Sequence, residues 1–206
     1  MRLTHANALV WALGNGLVST TLVIYLALEM GAGGVAIAWL LAAPRFAGVL
    51  RVAAPAIVNR ASASGLGRKG VCLAGYAASG VAVCLVPTVA WSGGGVRGVG
   101  VLAAAWCVYH LLEYVATVAL WSWIGDLYPR RARSRLLGHR ERWLVIGRLI
   151  GVGVSVALAA LWGVLLTDAS RWAPLAASAS IGAALMLLAL VPLAFTRPMA
   201  TTPSAA

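Results

Sequence analysis

His110 and Glu113 stand three residues apart in a long apolar stretch, a spacing that puts an imidazole and a carboxylate on one helix face. Trp106 and Thr117 extend that face by a turn on either side. Such a pair has three possible uses. It can be a structural ion pair. It can carry a proton or touch a solute, as intramembrane carboxylates do in transport paths. It can ligate a metal, in the manner of the Glu-x-x-His pairs of di-iron bundles. Two ligands are too few for the last use, and the other histidines, His5 and His139, lie outside the apolar core. Neither metal nor cofactor is expected. Nor is an enzyme: the sequence offers no Ser/His pair, no His-Glu-x-x-His and no cluster of carboxylates.

A charge inside a bilayer costs at least about 2.5–3.5 kcal/mol on insertion scales, so such groups usually face a bundle interior. Asn15 and Ser19 sit one turn apart in the first apolar span. Arg45 and Arg51 lie in the second, and Arg148 in the fifth. The third and sixth carry no charge. Spans 1, 2, 4 and 5 are therefore expected to line an interior, with spans 3 and 6 facing lipid. The candidates for solute binding or coupling are Asn15, Arg45, Arg51, Trp106, His110, Glu113 and Thr117. At 1.5 Å rise per residue, Arg45 and Arg51 lie about 15 and 24 Å from the outer end of their span, and His110 and Glu113 about 16 and 21 Å from theirs. Glu113 is level with the gap between the two arginines and is expected to pair with one of them. Arg148, about 7 Å from the inner end, is expected to snorkel. Three cations against one carboxylate lean towards anionic or zwitterionic solutes.

The elements that hold these residues are membrane spans. The chain has 206 residues, is 62% hydrophobic and 10% charged, and has a mean hydropathy of +0.91. Ordinary domains are about 45–50% apolar and about 25% charged. A helix crosses the hydrocarbon core with about 20 apolar residues. Six predicted spans cover 6–28, 35–58, 70–91, 99–124, 143–166 and 174–195, making an all-α polytopic domain over 1–197. A polar tail, 198–206, follows. The first span is too long for a cleaved signal. Polar loops are expected over 59–69 and 126–142, and short turns over 29–34, 92–98 and 167–172, so consecutive spans are antiparallel neighbours.

Eleven of the sixteen Lys and Arg residues lie at Arg2, Arg60, Arg68, Lys69, from Arg130 to Arg142, and at Arg197; the opposite loops hold only Arg97 and Arg171. Positive charge marks the cytoplasmic side. Both termini are thus expected in the cytoplasm, in the plasma membrane. The net charge of +11 does not point to nucleic acid, because it is dealt out between spans instead of gathered on one soluble face. Anionic lipid is the expected partner. Cys72, Cys84 and Cys107 read as small apolar side chains. Trp91, Trp121, Trp123, Trp143 and Trp172 fall at span ends, as in interfacial aromatic belts, while Trp11, Trp39 and Trp106 lie deeper. Gly14, Gly16, Gly147 and Gly151, with Gly153 and Ser155 beyond, suit close helix packing. Pro44, with Gly48 one turn on, is expected to kink span 2.

With these residues in view, the chain resembles the N-terminal six-helix half of a major facilitator superfamily transporter. Between spans 2 and 3 that family reads Gly-x-Leu-x-Asp-Arg-x-Gly-Arg-Lys. Here Arg60 and Gly67-Arg68-Lys69 match, Pro55 stands for the leading glycine, and Asn59 replaces the aspartate. Asp126-Leu127-Tyr128-Pro129, leading to Arg133, Arg135 and Gly138, resembles the acidic-Pro-Arg-Gly segment between spans 4 and 5. The resemblance implies alternating-access transport of a small solute, with spans 1, 2, 4 and 5 around the cavity. It also implies a second six-helix half or self-association, since the family binds solute between two halves. The alternative is a non-transporting membrane scaffold or assembly partner whose charges are internally paired.

Overall fold

The computed structural model describes residues 2–92, 95–165 and 171–196. Arg197, the tail 198–206, the predicted end of span 5 at Leu166, part of the 92–98 turn and most of the 167–172 turn lie outside the described residues. Among the described residues the chain is helical with no strand. Six helical runs are long and apolar enough to cross a membrane.

Span 1 is two helices. α1 (Arg2–Leu17) and α2 (Thr20–Glu29) meet at a break at Val18 and Ser19. The Ser19 hydroxyl accepts a hydrogen bond from the Leu22 amide (3.3 Å) and caps α2. The buried Ser178 hydroxyl donates to the Leu17 carbonyl (3.1 Å), satisfying an acceptor next to the break. Gly31 then adopts φ +87, a left-handed conformation open to glycine, and the chain reverses into α3 (Gly34–Ala47).

Span 2 loses its regularity one turn beyond Pro44. A 3₁₀ turn (Gly48–Arg51) separates α3 from α4 (Ala54–Ala61). The polar loop predicted over 59–69 is largely helical. A π turn (Ser62–Leu66) joins α4 to α5 (Gly67–Trp91), and the reversal is concentrated at Gly65 (φ +101) and Gly67 (φ +64).

The loop predicted over 126–142 is also mostly helix. α6 (Gly95–Leu127) stops before Tyr128 and Pro129, and α7 (Arg130–Leu165) begins with the arginine-rich segment. Arginine excludes a segment from lipid but is a good helix former. At 36 residues, α7 is about 54 Å long. Its first turns therefore project beyond a hydrocarbon core of about 30 Å. Span 6 is α8 (Ala173–Leu188) and α9 (Leu190–Ala194), with Pro192 in α9. The Asn7 amide donates to the Ala189 carbonyl at the junction (2.8 Å).

α1 packs along α7 and against α8; α5 packs along α6 and against α8; α3 packs on α6. Exchanging spans 1–3 with spans 4–6 maps this pattern onto itself. Span 1 on span 5 becomes span 4 on span 2, span 1 on span 6 becomes span 4 on span 3, and span 3 on span 6 is unchanged. Small residues make the closest approaches. A Cβ on Gly16 would meet the Arg148 carbonyl at 2.5 Å, and one on Gly147 the Leu9 carbonyl at 2.6 Å. Gly14 and Gly182 lie against each other across α1 and α8 in the same way.

Burial corrects one expectation. Spans 3 and 6 do not simply face lipid. Half of the most apolar stretch of span 3 is buried, and 44% of that of span 6, against 17% in span 2 and 11% in span 5. Absence of charge fits a protein neighbour as well as a lipid one. α8 buries Ala176, Ser178, Ala179, Gly182 and Ala183, whose small size lets it sit between α1 and α5.

Candidate functional site

A cavity of about 550 Å³ opens between spans 1, 2, 4 and 5. Span 1 contributes Asn15, Ser19, Thr20 and Thr21; span 2 contributes Pro44 and Ala47; span 4 contributes Trp106, His110, Glu113, Tyr114 and Thr117; span 5 contributes Arg148 and Val152. The break in span 1 brings its three hydroxyls to the lining. No expectation placed a break there, although Gly14-Asn15-Gly16 followed by Ser19-Thr20-Thr21 is a poor helical stretch on propensity grounds.

The polar side chains form a connected wall. The Asn15 amide on α1 donates to the Tyr109 hydroxyl on α6 (2.7 Å). That hydroxyl lies beside the Glu113 carboxylate, one turn further along α6. His110 Nδ1 is 3.6 Å from Glu113 Oε2. This is too long for a hydrogen bond, and it is an ion pair only when His110 is protonated. The imidazole packs edge-on to Trp106, with ring centroids 4.6 Å apart. Thr117 shares a hydrogen bond with the Tyr76 hydroxyl of α5 (3.0 Å), and Tyr76 packs on Trp11. Two buried polar atoms of this wall, Trp106 Nε1 and His110 Nε2, have no hydrogen-bond partner in the structure.

Glu113 does not pair with Arg45 or Arg51. Both arginines are exposed on span 2, neither lines the cavity, and neither forms an ion pair among the described residues. Equal depth was a poor guide, because partners must also share a facing side. The cation in the lining is Arg148, the one of the three counted interior cations that was expected to snorkel. A double-mutant cycle on unfolding in detergent checks this geometry. Glu113→Gln with Arg45→Ala, or with Arg51→Ala, gives coupling near zero. Asn15→Ala with Tyr109→Phe gives about 1 kcal/mol, the usual net worth of a hydrogen bond. Coupling between Glu113 and either arginine would overturn the assignment.

The residues singled out at the basic end come together there. Arg68 bridges to Asp126 (2.6 Å), joining the segment between spans 2 and 3 to the end of span 4. Both side chains are about half exposed, so the pair contributes little stability. Lys69 donates to the Ala194 and Thr196 carbonyls (2.5 and 3.2 Å) and lies over the Trp123 ring. Trp123 is a buried partner of Lys69. Trp39 is 52% exposed and stacks on Phe46. Arg133 donates to the Tyr128 carbonyl (2.9 Å) and the Gly125 carbonyl, capping the end of α6 around Pro129. Gly67 supplies the turn into α5. Asn59 and Arg60 are exposed on α4, and Arg60 makes no ion pair among the described residues. Arg140, which was expected only as part of the solvated basic segment, is buried and donates to the Thr4 carbonyl and Asn7 Oδ1 (3.4 and 3.2 Å). No group of three or more His, Cys, Asp or Glu arranged for a metal occurs among the described residues.

Comparison of the chain with protein-family models, with curated proteins and with solved structures found no match.

Proposed function

We propose that the chain is one six-helix half of a secondary transporter of the major facilitator type, moving a small solute by alternating access together with a second half. The observation that carries this reading is the cavity: a space of about 550 Å³, walled by four spans and holding Glu113, His110 and Arg148 where an apolar core would otherwise be. Two further observations support it. The packing pattern repeats when spans 1–3 and 4–6 are exchanged, as in transporters built from paired three-helix repeats. The two segments that carry the family resemblance meet through Arg68 and Asp126.

The charge balance of the site revises the expected solute. With Arg45 and Arg51 outside the lining, Arg148 stands against Glu113, with His110 as a titratable third group. Near-neutrality suits a zwitterionic or small polar solute better than a strong anion. The competing reading is a non-transporting scaffold or assembly partner. It draws on Lys69, Arg133 and Arg140, whose charges are all spent on backbone carbonyls or Asn7.

Thiol labelling separates the two. In a background lacking Cys72, Cys84 and Cys107, Thr20→Cys reacts with a small water-borne reagent if the cavity is a solvated path; an inert thiol favours the scaffold. The same background tests orientation in the plasma membrane, with both termini cytoplasmic. An impermeant reagent on intact cells labels Ser92→Cys and spares Ser134→Cys. The reverse pattern overturns the topology.

A further inference from the structure

We propose that the basic end carries a binding site for one anionic phospholipid, built on the outer face of α7 and the start of α1. The inference does not depend on whether the chain transports.

α7 sorts its arginines by face. Arg133 and Arg140 turn inward and bond to carbonyls and Asn7. Arg135 and Arg142 stay exposed on the opposite side and, with Ser134, Gly138 and His139, line a notch of about 300 Å³. Gly138 lies in the lining of the notch. Glycine inside a helix costs about 1 kcal/mol relative to alanine. No neighbour requires it, because a Cβ there would meet nothing within 4 Å. What its missing side chain leaves is the floor of the notch, between Arg135 and Arg142. The lining holds two permanent cations, one imidazole and one hydroxyl, and no carboxylate. Glu141 is not in the lining; one residue before Arg142, it points about 100° away from it around the helix.

The notch continues into an apolar groove. The His139 ring lies tilted beside His5, with centroids 5.9 Å apart, and His5 lines a second cavity of about 280 Å³ with Ala6, Leu9 and Trp143. Trp143, one residue beyond Arg142, sits where α7 passes from its charged to its apolar part. Tryptophan favours that level of a bilayer. A phosphate in the notch with an acyl chain along Leu9 and Trp143 satisfies both parts at once. A free phosphate would use only the upper one.

The test measures lipids retained by the purified full chain after exchange into bilayers containing equal phosphatidylglycerol and phosphatidylcholine. The wild type retains phosphatidylglycerol selectively. Arg135→Gln and Arg142→Gln each reduce the selectivity by about fivefold, the effect of one surface cation. Gly138→Leu, which removes no charge and meets open space, reduces it as much, while Arg60→Gln leaves it unchanged. If Gly138→Leu retains wild-type selectivity while the arginine variants lose it, the attraction is diffuse and the site is refuted. Displacement of the lipid by millimolar inorganic phosphate would assign the notch to a free anion instead, and equal retention of both lipids would refute it outright.

Discussion

Gly151→Leu should lose about 3 kcal/mol of stability, whereas Gly153→Leu, two residues along the same helix, should behave as wild type or better. α1 and α7 touch backbone to backbone. A Cβ on Gly151 would collide with the Leu13 carbonyl and lie 2.9 Å from the Gly16 Cα. Neither atom belongs to a flexible side chain that can swing aside, so relief requires the helices to separate along their shared length. Overpacking a close-packed site costs about 1–3 kcal/mol and sometimes more. Here the upper end applies, because the obstacle is main chain on a second helix. A loss of about 3 kcal/mol is a large part of the 5–15 kcal/mol that holds a typical protein folded. Gly153 has nothing within 4 Å of its Cβ position and is exposed. Replacing it removes the entropic cost of a helical glycine, worth roughly 0.5–1 kcal/mol. Folded yield and thermal unfolding in mild detergent read both variants. Equal stability of the two leucine variants would mean that spans 1 and 5 do not pack as described.

The same glycines show what the sequence could carry. Hydropathy gave the number of spans, because a bilayer demands a run of about 20 apolar residues whatever else the helix does; it did not show that the helices continue through 59–69 and 126–142, where charge reads as loop. Small residues announced close packing at Gly14, Gly16, Gly147 and Gly151, but not which helix each would meet, and at Gly153 the expectation fails, because that position is exposed with open space beside it. Polar residues in the lining named spans 1, 4 and 5, since buried polarity needs a reason wherever it occurs; span 2 enters through Pro44 and Ala47 and not through the arginines that pointed to it. The facing direction of each side chain was not legible. Glu113 is level with the gap between Arg45 and Arg51, yet the rotation of each helix puts the arginines outside and the carboxylate within. The break at Ser19 was also hidden. Its cost is offset by Ser178, 159 residues away along the chain, whose hydroxyl serves the Leu17 carbonyl. Arg140 escaped for a like reason. A run of arginines reads as a solvated segment, and only the packing of α1 on α7 turns one of them inward.

Reconstituted alone and held as a monomer, the chain should show no solute uptake above background. Spans 2 and 5 are the least buried, and together with spans 1 and 4 they form one wall of the cavity. Alternating access needs a second body for this wall to rock against. The exposed arginines make the same point energetically. Arg45 and Arg51 lie within a predicted span and are exposed without an ion pair among the described residues. At about 2.5–3.5 kcal/mol for each charge left in the core, a partner surface that supplies acidic or hydrogen-bonding groups to span 2 would gain several kcal/mol. A second copy, or another six-helix chain seated there, is therefore expected both to stabilise the protein and to complete the path. Proteoliposome uptake, with oligomeric state fixed by crosslinking, reads the outcome. Uptake that appears only in the partnered form, and falls when Glu113→Gln removes the cavity's carboxylate, fits the half-transporter. Robust uptake by a proven monomer would refute it. Preference for a simple cation would refute the zwitterionic or neutral solute argued from Arg148 and Glu113.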